Sequence, residues 1–168
     1  MRAGIALGSN VGDRAARLRE ACAHIEQIAG ISEPVQSSRI YETEPVGMGD
    51  DAHAFLNAVI EVEFTGEPLA LLDALQQIEA AMGRPSRHPR NAPRTIDLDL
   101  LYAGDVVISN ERIAIPHPRL HERRFVLAPL ADLRPELVLP SQRQTVAELL
   151  AGLRDPAAVA LFSPTWEA

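Results

Sequence analysis

Ten residues from Phe55 to Phe64 alternate so regularly that they read as one long strand. Leu56, Ala58, Ile60, Val62 and Phe64 form an apolar face, and Phe55, Asn57, Val59, Glu61 and Glu63 form the other. A strand of that length cannot bury its apolar face alone; it needs neighbouring strands and a layer packed on its even side. A second alternation over residues 95–100 sets Ile96, Leu98 and Leu100 against Thr95, Asp97 and Asp99. Shorter strands are expected over residues 2–7 and 35–41.

Two helices fit between these strands. One follows Gly12-Asp13 and runs to about Gly30 with the stripe Leu18, Cys22, Ile25, Ala29. The other opens at Glu67-Pro68, carries Leu71, Leu72, Leu75, Ile78 and Met82 inward, and stops at Gly83. Strand, helix, strand, strand, helix, strand is the split unit of an α+β, ferredoxin-like βαββαβ core, an antiparallel sheet with both helices on one face. C-terminal additions follow: a short strand over 106–108, the loop Ile115-Pro116-His117-Pro118-Arg119, an apolar run over 125–133, and a helix over 145–153 whose Thr145-x-x-Glu148 suits a capping box. The tail from Asp155 reads as an irregular or docking end. No repeat, low-complexity tract or linker divides the 168 residues, so one domain is expected.

With both helices on one side, Phe55, Asn57, Asp97 and Asp99 project together from the opposite, open face. Two carboxylates about 6–7 Å apart along a strand repel each other unless a cation lies between them. Mg2+ favours such oxygens shared with substrate phosphates. A pair of aspartates on a solvated sheet face is the plain alternative. Against it stand Arg84, Arg87, Arg90 and Arg94, four of the 16 cationic residues in eleven positions beside the acids, which point to metal-bound phosphate.

The formal charge of -7 argues against broad nucleic-acid binding, although the local arginines leave a small anion a positive place to sit. There is no lysine, which excludes Schiff-base and P-loop lysine chemistry. Cys22 is the only cysteine and lies on an apolar stripe, so it is expected as a core thiol with no internal disulfide. The start Met1-Arg2-Ala3-Gly4-Ile5 lacks a signal-peptide block, and no run approaches the ~18 apolar residues of a membrane span; the cytoplasm is the expected compartment. Gly8-Ser9-Asn10-Val11-Gly12-Asp13 suits a turn into a helix first and an anion contact second, and matches neither the Walker nor the dinucleotide fingerprint.

Taken together, Gly8-Ser9-Asn10, Tyr41-Glu42-Thr43-Glu44-Pro45-Val46-Gly47, Phe55-Leu56-Asn57-Ala58, Gly83-Arg84, Pro93-Arg94-Thr95-Ile96-Asp97-Leu98-Asp99 and Ile115-Pro116-His117 occur in a particular order and spacing. Over residues 1–153 the chain thereby resembles the 6-hydroxymethyl-7,8-dihydropterin pyrophosphokinases of the folate pathway. The resemblance implies two partners, ATP and the pterin, with attack of the pterin hydroxyl on the β-phosphorus and release of AMP. It makes Asp97 and Asp99 ligands of two Mg2+ ions. It sets Phe55 and Phe125 on either side of the pterin ring, with Asn57 and the segment holding Thr43, Pro45 and Val46 along the ring edge. Arg84, Arg90 and Arg94 become catalytic arginines around the triphosphate, and Glu79, Arg84, Arg94, His117 and Arg123 contact ATP. It implies a monomer, and the charge and hydropathy already described leave nucleic acid and membrane out of the expected partners.

Each carry-over has a plainer counterpart: a core ring for Phe125, solvated surface for the arginines, a turn residue between prolines for His117, and a solvated helix face for Glu79. The chain also departs from the family pattern, with Ser86 where an arginine often stands and Asn91 in place of a tryptophan; Arg87 is the candidate substitute for the missing arginine. Two other classes stay open on the residues alone. A metal-dependent nucleotidyltransferase would use the same acids and arginines while the α-phosphorus is attacked. A ferredoxin-like ligand- or RNA-binding module would need exposed aromatic motifs and a basic sheet, and two acids on the open face oppose an RNA backbone.

Overall fold

The computed structural model describes residues 1–44, 53–83, 95–155 and 157–167. Along them run β1 (Arg2–Ser9), α1 (Arg14–Glu26), β2 (Ile31–Ser37), β3 (Ile40–Thr43), β4 (Phe55–Phe64), α2 (Pro68–Ala81), β5 (Asp97–Ala103), the small hairpin β6 (Ile108–Ser109) and β7 (Ala114–Ile115), α3 (Arg124–Leu133), α4 (Val146–Gly152) and β8 (Val159–Ser163). The main sheet is antiparallel in the order β5-β1-β4-β3-β8, and β2 shares with β3 the same edge of β4. The expected βαββαβ core is therefore present, with β4 at its centre.

Local chemistry sets the element ends. Asp13 caps α1 by accepting the Ala16 N–H at 3.0 Å, and Pro68 opens α2 from its first turn. Gly83, at φ +94°, takes the left-handed conformation that ends α2. α1 stops at Glu26, one turn short of the expected Gly30. The single strand expected over 35–41 is instead two. Ser38 is buried; its N–H donates to the Val59 carbonyl and its Oγ accepts the Val59 N–H, both at 2.9 Å. A hydroxyl thus replaces a main-chain acceptor and interrupts the ladder there.

The helix-facing core follows the alternation. Ile5, Leu7, Leu56, Ile60, Leu98 and Leu100 pack against Leu18 and Ile25 of α1 and Leu71, Leu75 and Ile78 of α2. Cys22 packs at the edge of this cluster, and burial pushes its thiol up to about 11, as expected of a core thiol with no role as a nucleophile.

The opposite face departs from expectation, because only part of it is open. The apolar run after Arg123 is helix α3, which lays Val126, Leu127 and Leu130 over Val59, Leu101 and Tyr102, with Val146 of α4 closing this second cluster. The α4 capping box forms as expected, Thr145 Oγ accepting the Glu148 N–H and Glu148 accepting the Thr145 N–H. A bulge makes the second core possible: Ile5 pairs with Leu100 and Gly4 with Tyr102, so Leu101 is the extra residue and both Leu101 and Tyr102 join that cluster. Gly4 must be glycine, since a Cβ there would run into the Tyr102 ring.

Glu61 lies in this covered half, only 3% exposed. It accepts the Tyr102 hydroxyl and an Arg134 guanidinium N–H at 2.9 Å, and Arg2 approaches its other oxygen at 3.5 Å. Burial and the bond to Glu61 hold the Tyr102 phenol well above its ordinary value. The tail is more regular than expected: β8 joins the sheet edge beside β3, and the Trp166 indole N–H donates to the Ser38 carbonyl at 2.6 Å. Among the described residues, no helix is long and apolar enough to cross a membrane.

Candidate active site

The site occupies the part of the second sheet face that α3 leaves uncovered. Register places Gly8 opposite Asn57 on one side and Asp97 on the other, so Asn57, Gly8 and Asp97 form a row across β4, β1 and β5. One step along, Ala6 lies between Val59 and Asp99. In-register neighbours share a face, so an amide and two carboxylates are presented together with almost no side chain between them. β1 makes this possible because Gly4, Ala6 and Gly8 give its second face only hydrogens and a methyl.

At the β4 end, Asn57 is buried and its Nδ2 donates to Thr43 Oγ1 at 2.9 Å. That bond fixes the amide and turns its Oδ1 toward Gly8, where a Cβ would approach to 3.1 Å. Phe55, half-buried at the first position of β4, pairs with Thr43, and a Cβ on Gly8 would lie 4.0 Å from its ring. A half-buried ring beside an oriented amide is suited to a planar heterocycle with polar edges.

At the β5 end, Asp97 and Asp99 are both partly exposed, as their alternation predicts. His117 and Arg123 come to them from the segment after β7, with Arg119 beside both. The His117 N–H donates to the Leu101 carbonyl at 2.7 Å, pinning this segment to β5, and its Nδ1 accepts the Arg119 N–H at 3.2 Å. The neutral ring therefore carries its proton on Nε2. Burial, then the charge of Arg123, holds the imidazole below its ordinary value, while Asp97 opposes the shift. Burial and Arg119 likewise lower the Arg123 guanidinium, against the pull of Asp99 and Asp97. Arg123 thus stands within electrostatic reach of both carboxylates, and His117 within reach of Asp97. Arg123 also lies over Phe125, its guanidinium carbon 5.6 Å from the ring centroid, and Phe125 is half-buried at the start of α3.

Glu79 is a correction: the helix face holding it is not solvated, since it is 8% exposed and accepts the Leu98 N–H at 2.7 Å. Ser9 is buried with its Oγ donating to the Thr95 carbonyl at 2.6 Å, so its hydroxyl braces the chain rather than facing an anion. Pro45, Val46, Arg84, Arg87, Arg90 and Arg94, with the departures Ser86 and Asn91, lie outside the described residues. Sequence reasoning missed Arg119 and the clearing role of Gly8. The signal for the latter was legible in the small residues at every second position of β1.

Among the described residues no three His, Cys, Asp or Glu side chains converge as a metal site. The two aspartates offer hard oxygen donors suited to Mg2+, whose remaining ligands would come from water or phosphate. A separate cleft of about 590 Å3, between Arg39, Asp132 and Trp166, offers no comparable chemistry: its Arg39 is paired with Asp132 at 2.7 Å.

A ferredoxin-like sheet that aligns an oriented amide with paired carboxylates and a nearby guanidinium suits a transferase that acts on a planar molecule and a polyphosphate. The sequence model of 7,8-dihydro-6-hydroxymethylpterin-pyrophosphokinase matches residues 4–135. The Bacillus subtilis 2-amino-4-hydroxy-6-hydroxymethyldihydropteridine pyrophosphokinase is 49% identical over 129 residues, 77% of this chain and 75% of that protein. The Methylorubrum extorquens protein of the same name is 42% identical over 158 residues, 94% and 96% of the two chains. A crystal structure of Plasmodium falciparum HPPK-DHPS superposes with a TM-score of 0.69 at 18% identity, and this likeness supports the fold alone. It takes in 89% of this chain but only 42% of that one, so this chain spans less than half of the Plasmodium protein. The chain belongs to the 7,8-dihydro-6-hydroxymethylpterin-pyrophosphokinase family.

Proposed function

We propose that the face built on Asn57, Gly8 and Asp97 carries the family's reaction, transfer of pyrophosphate from ATP to the hydroxymethyl oxygen of 6-hydroxymethyl-7,8-dihydropterin with release of AMP. The observation that supports this site most directly is the row itself: adjacent strands bring an oriented amide and a carboxylate pair to either side of a bare glycine. A pterin at the amide end would extend its hydroxymethyl arm toward the acids. Family membership sets aside the nucleotidyltransferase and the binding-module readings.

In this reading Asn57 and the Thr43 segment, including Pro45 and Val46, hold the pterin edge, and Phe55 and Phe125 take its two faces. Asp97 and Asp99 would hold two Mg2+ ions, which when bound neutralise phosphate charge and orient the attacking and leaving oxygens. Arg123, His117 and Arg119 supply donors to the triphosphate from the C-terminal side, with Arg84, Arg90 and Arg94 from the other. His117, neutral near pH 7, donates from Nε2. Arg123, already desolvated, gives a phosphate a stronger contact than an exposed guanidinium would. The chain's contribution is positioning and charge stabilisation, with no covalent step on the protein. Residues 1–168 are proposed to act as one unit, as a monomer in the cytoplasm.

Phosphorus NMR of the protein with ATP, Mg2+ and the hydroxymethyl pterin tests the reaction. AMP that forms only when the pterin is present is the expected product. ADP, or free pyrophosphate from attack at the α-phosphorus, would refute the assignment.

A further inference from the structure

Among the described residues β5 is the edge strand of the sheet, so every second N–H along it points away from β1 and meets no described strand. The Leu98 N–H is one of these, and it belongs to the Asp97–Leu98 peptide, next to the first of the two proposed metal ligands. It donates at 2.7 Å to the carboxylate of Glu79, which α2 delivers from late in its length and which is 8% exposed. Burying a carboxylate is costly, and in a surface helix that otherwise buries Leu71, Leu75 and Ile78 an apolar residue would serve packing better. Its bond holds the Asp97–Leu98 peptide, one of the two peptide groups that join the aspartates.

The opposite end of this segment is held in the same manner. Ser9, wholly buried at the end of β1, donates its hydroxyl to the Thr95 carbonyl at 2.6 Å. The chain from Thr95 to Leu98 is thus braced by two buried side chains, one from β1 and one from α2, on either side of Asp97.

We infer that Glu79 is a positioning residue: by accepting the Leu98 N–H it fixes the backbone from which Asp97 and Asp99 are aimed, with Ser9 as the second brace. This rests on the reading of Asp97 and Asp99 as metal ligands. It moves Glu79 from a direct ATP contact to a group acting through the strand by way of its acceptor oxygen. Glutamine keeps an acceptor oxygen at the same reach, whereas alanine removes it.

The test compares Glu79→Gln, Glu79→Ala and the reference variant Asp97→Asn. In the protein without metal or nucleotide, amide exchange at Leu98 is expected to quicken about tenfold or more in Glu79→Ala and to stay near wild type in Glu79→Gln. Exchange at Ile5 and Val59 reports whether the fold survives. With a non-hydrolysable ATP analogue, Mn2+ titrated as a paramagnetic probe is expected to bind about tenfold more weakly to Glu79→Ala and near normally to Glu79→Gln. Unchanged Leu98 exchange in Glu79→Ala would overturn the inference, as would Glu79→Gln binding Mn2+ as poorly as Glu79→Ala. Normal Mn2+ binding by Asp97→Asn would instead remove the metal reading beneath it.

Discussion

Two halves of one sheet face carry the same alternating strands and meet opposite fates. In the half under α3, Val59, Leu101 and Tyr102 are sealed from water, and even the charged Glu61 is enclosed by Tyr102 and Arg134. In the other half Phe55, Asp97 and Asp99 stay partly exposed, and Asn57 is buried yet offers an amide oxygen beside Gly8. Nothing in the period-2 pattern separates them: Glu61 and Asn57 occupy equivalent positions of one strand. The difference comes from what the C-terminal third lays on top, and it teaches that a polar residue on a sheet face becomes a structural ion pair or a ligand contact according to its cover.

The largest expected effect lies in the open half. Asp97→Ala or Asp99→Ala should lower turnover about a thousandfold or more while leaving the thermal midpoint within a few degrees of wild type. Steady-state assay beside a melting curve checks this, and near-normal turnover in either variant would sink the metal assignment.

The covered half should respond in the reverse sense. Glu61→Ala strips the acceptor from Tyr102 and the partner from Arg134, which can swing partly into water, so stability should fall by about 2–3 kcal/mol. Urea unfolding at unchanged slope measures it, and the protein that remains folded should turn over at close to the normal rate. A collapse of turnover without lost stability would erase the distinction between the halves.

Gly8→Ala probes the seam. A methyl 3.1 Å from Asn57 Oδ1 and 4.0 Å from the Phe55 ring intrudes on the proposed pterin floor. It should raise the KM for the pterin about tenfold with a smaller change for ATP. Equal effects on both substrates would place the pterin elsewhere.

The smallest effect is a pH dependence. Burial, and then Arg123, lowers the folded-state value of His117, so the unfolded chain takes up a proton first as pH falls. The stabilisation is therefore complete above the unfolded value near 6.5 and is lost as pH drops through the folded value. Urea midpoints measured down that range should decline more steeply in wild type than in His117→Asn; parallel curves would show that His117 is not desolvated there.

Much of this was legible in the chain. The alternation of β4 and β5, the stripes of α1 and α2 and their Pro and Gly punctuation give the βαββαβ order, since each is a local rule acting on neighbours in sequence. The Asp97–Asp99 pair was legible for the same reason: two residues apart on a strand means one face. Less legible were the break at Ser38, where a side chain takes a main-chain role, and the burial of Glu79, which depends on a strand edge 19 residues away.

The sequence by itself determined which residues share a face and which chemistry that face carries, because period and side-chain type are local. Only the tertiary structure decided that Leu101 and Tyr102 turn together through a bulge, that α3 seals one half of the face, and that Arg123 reaches both aspartates and His117 reaches Asp97. Those outcomes depend on contacts between segments far apart in the chain, and a local pattern leaves them undetermined.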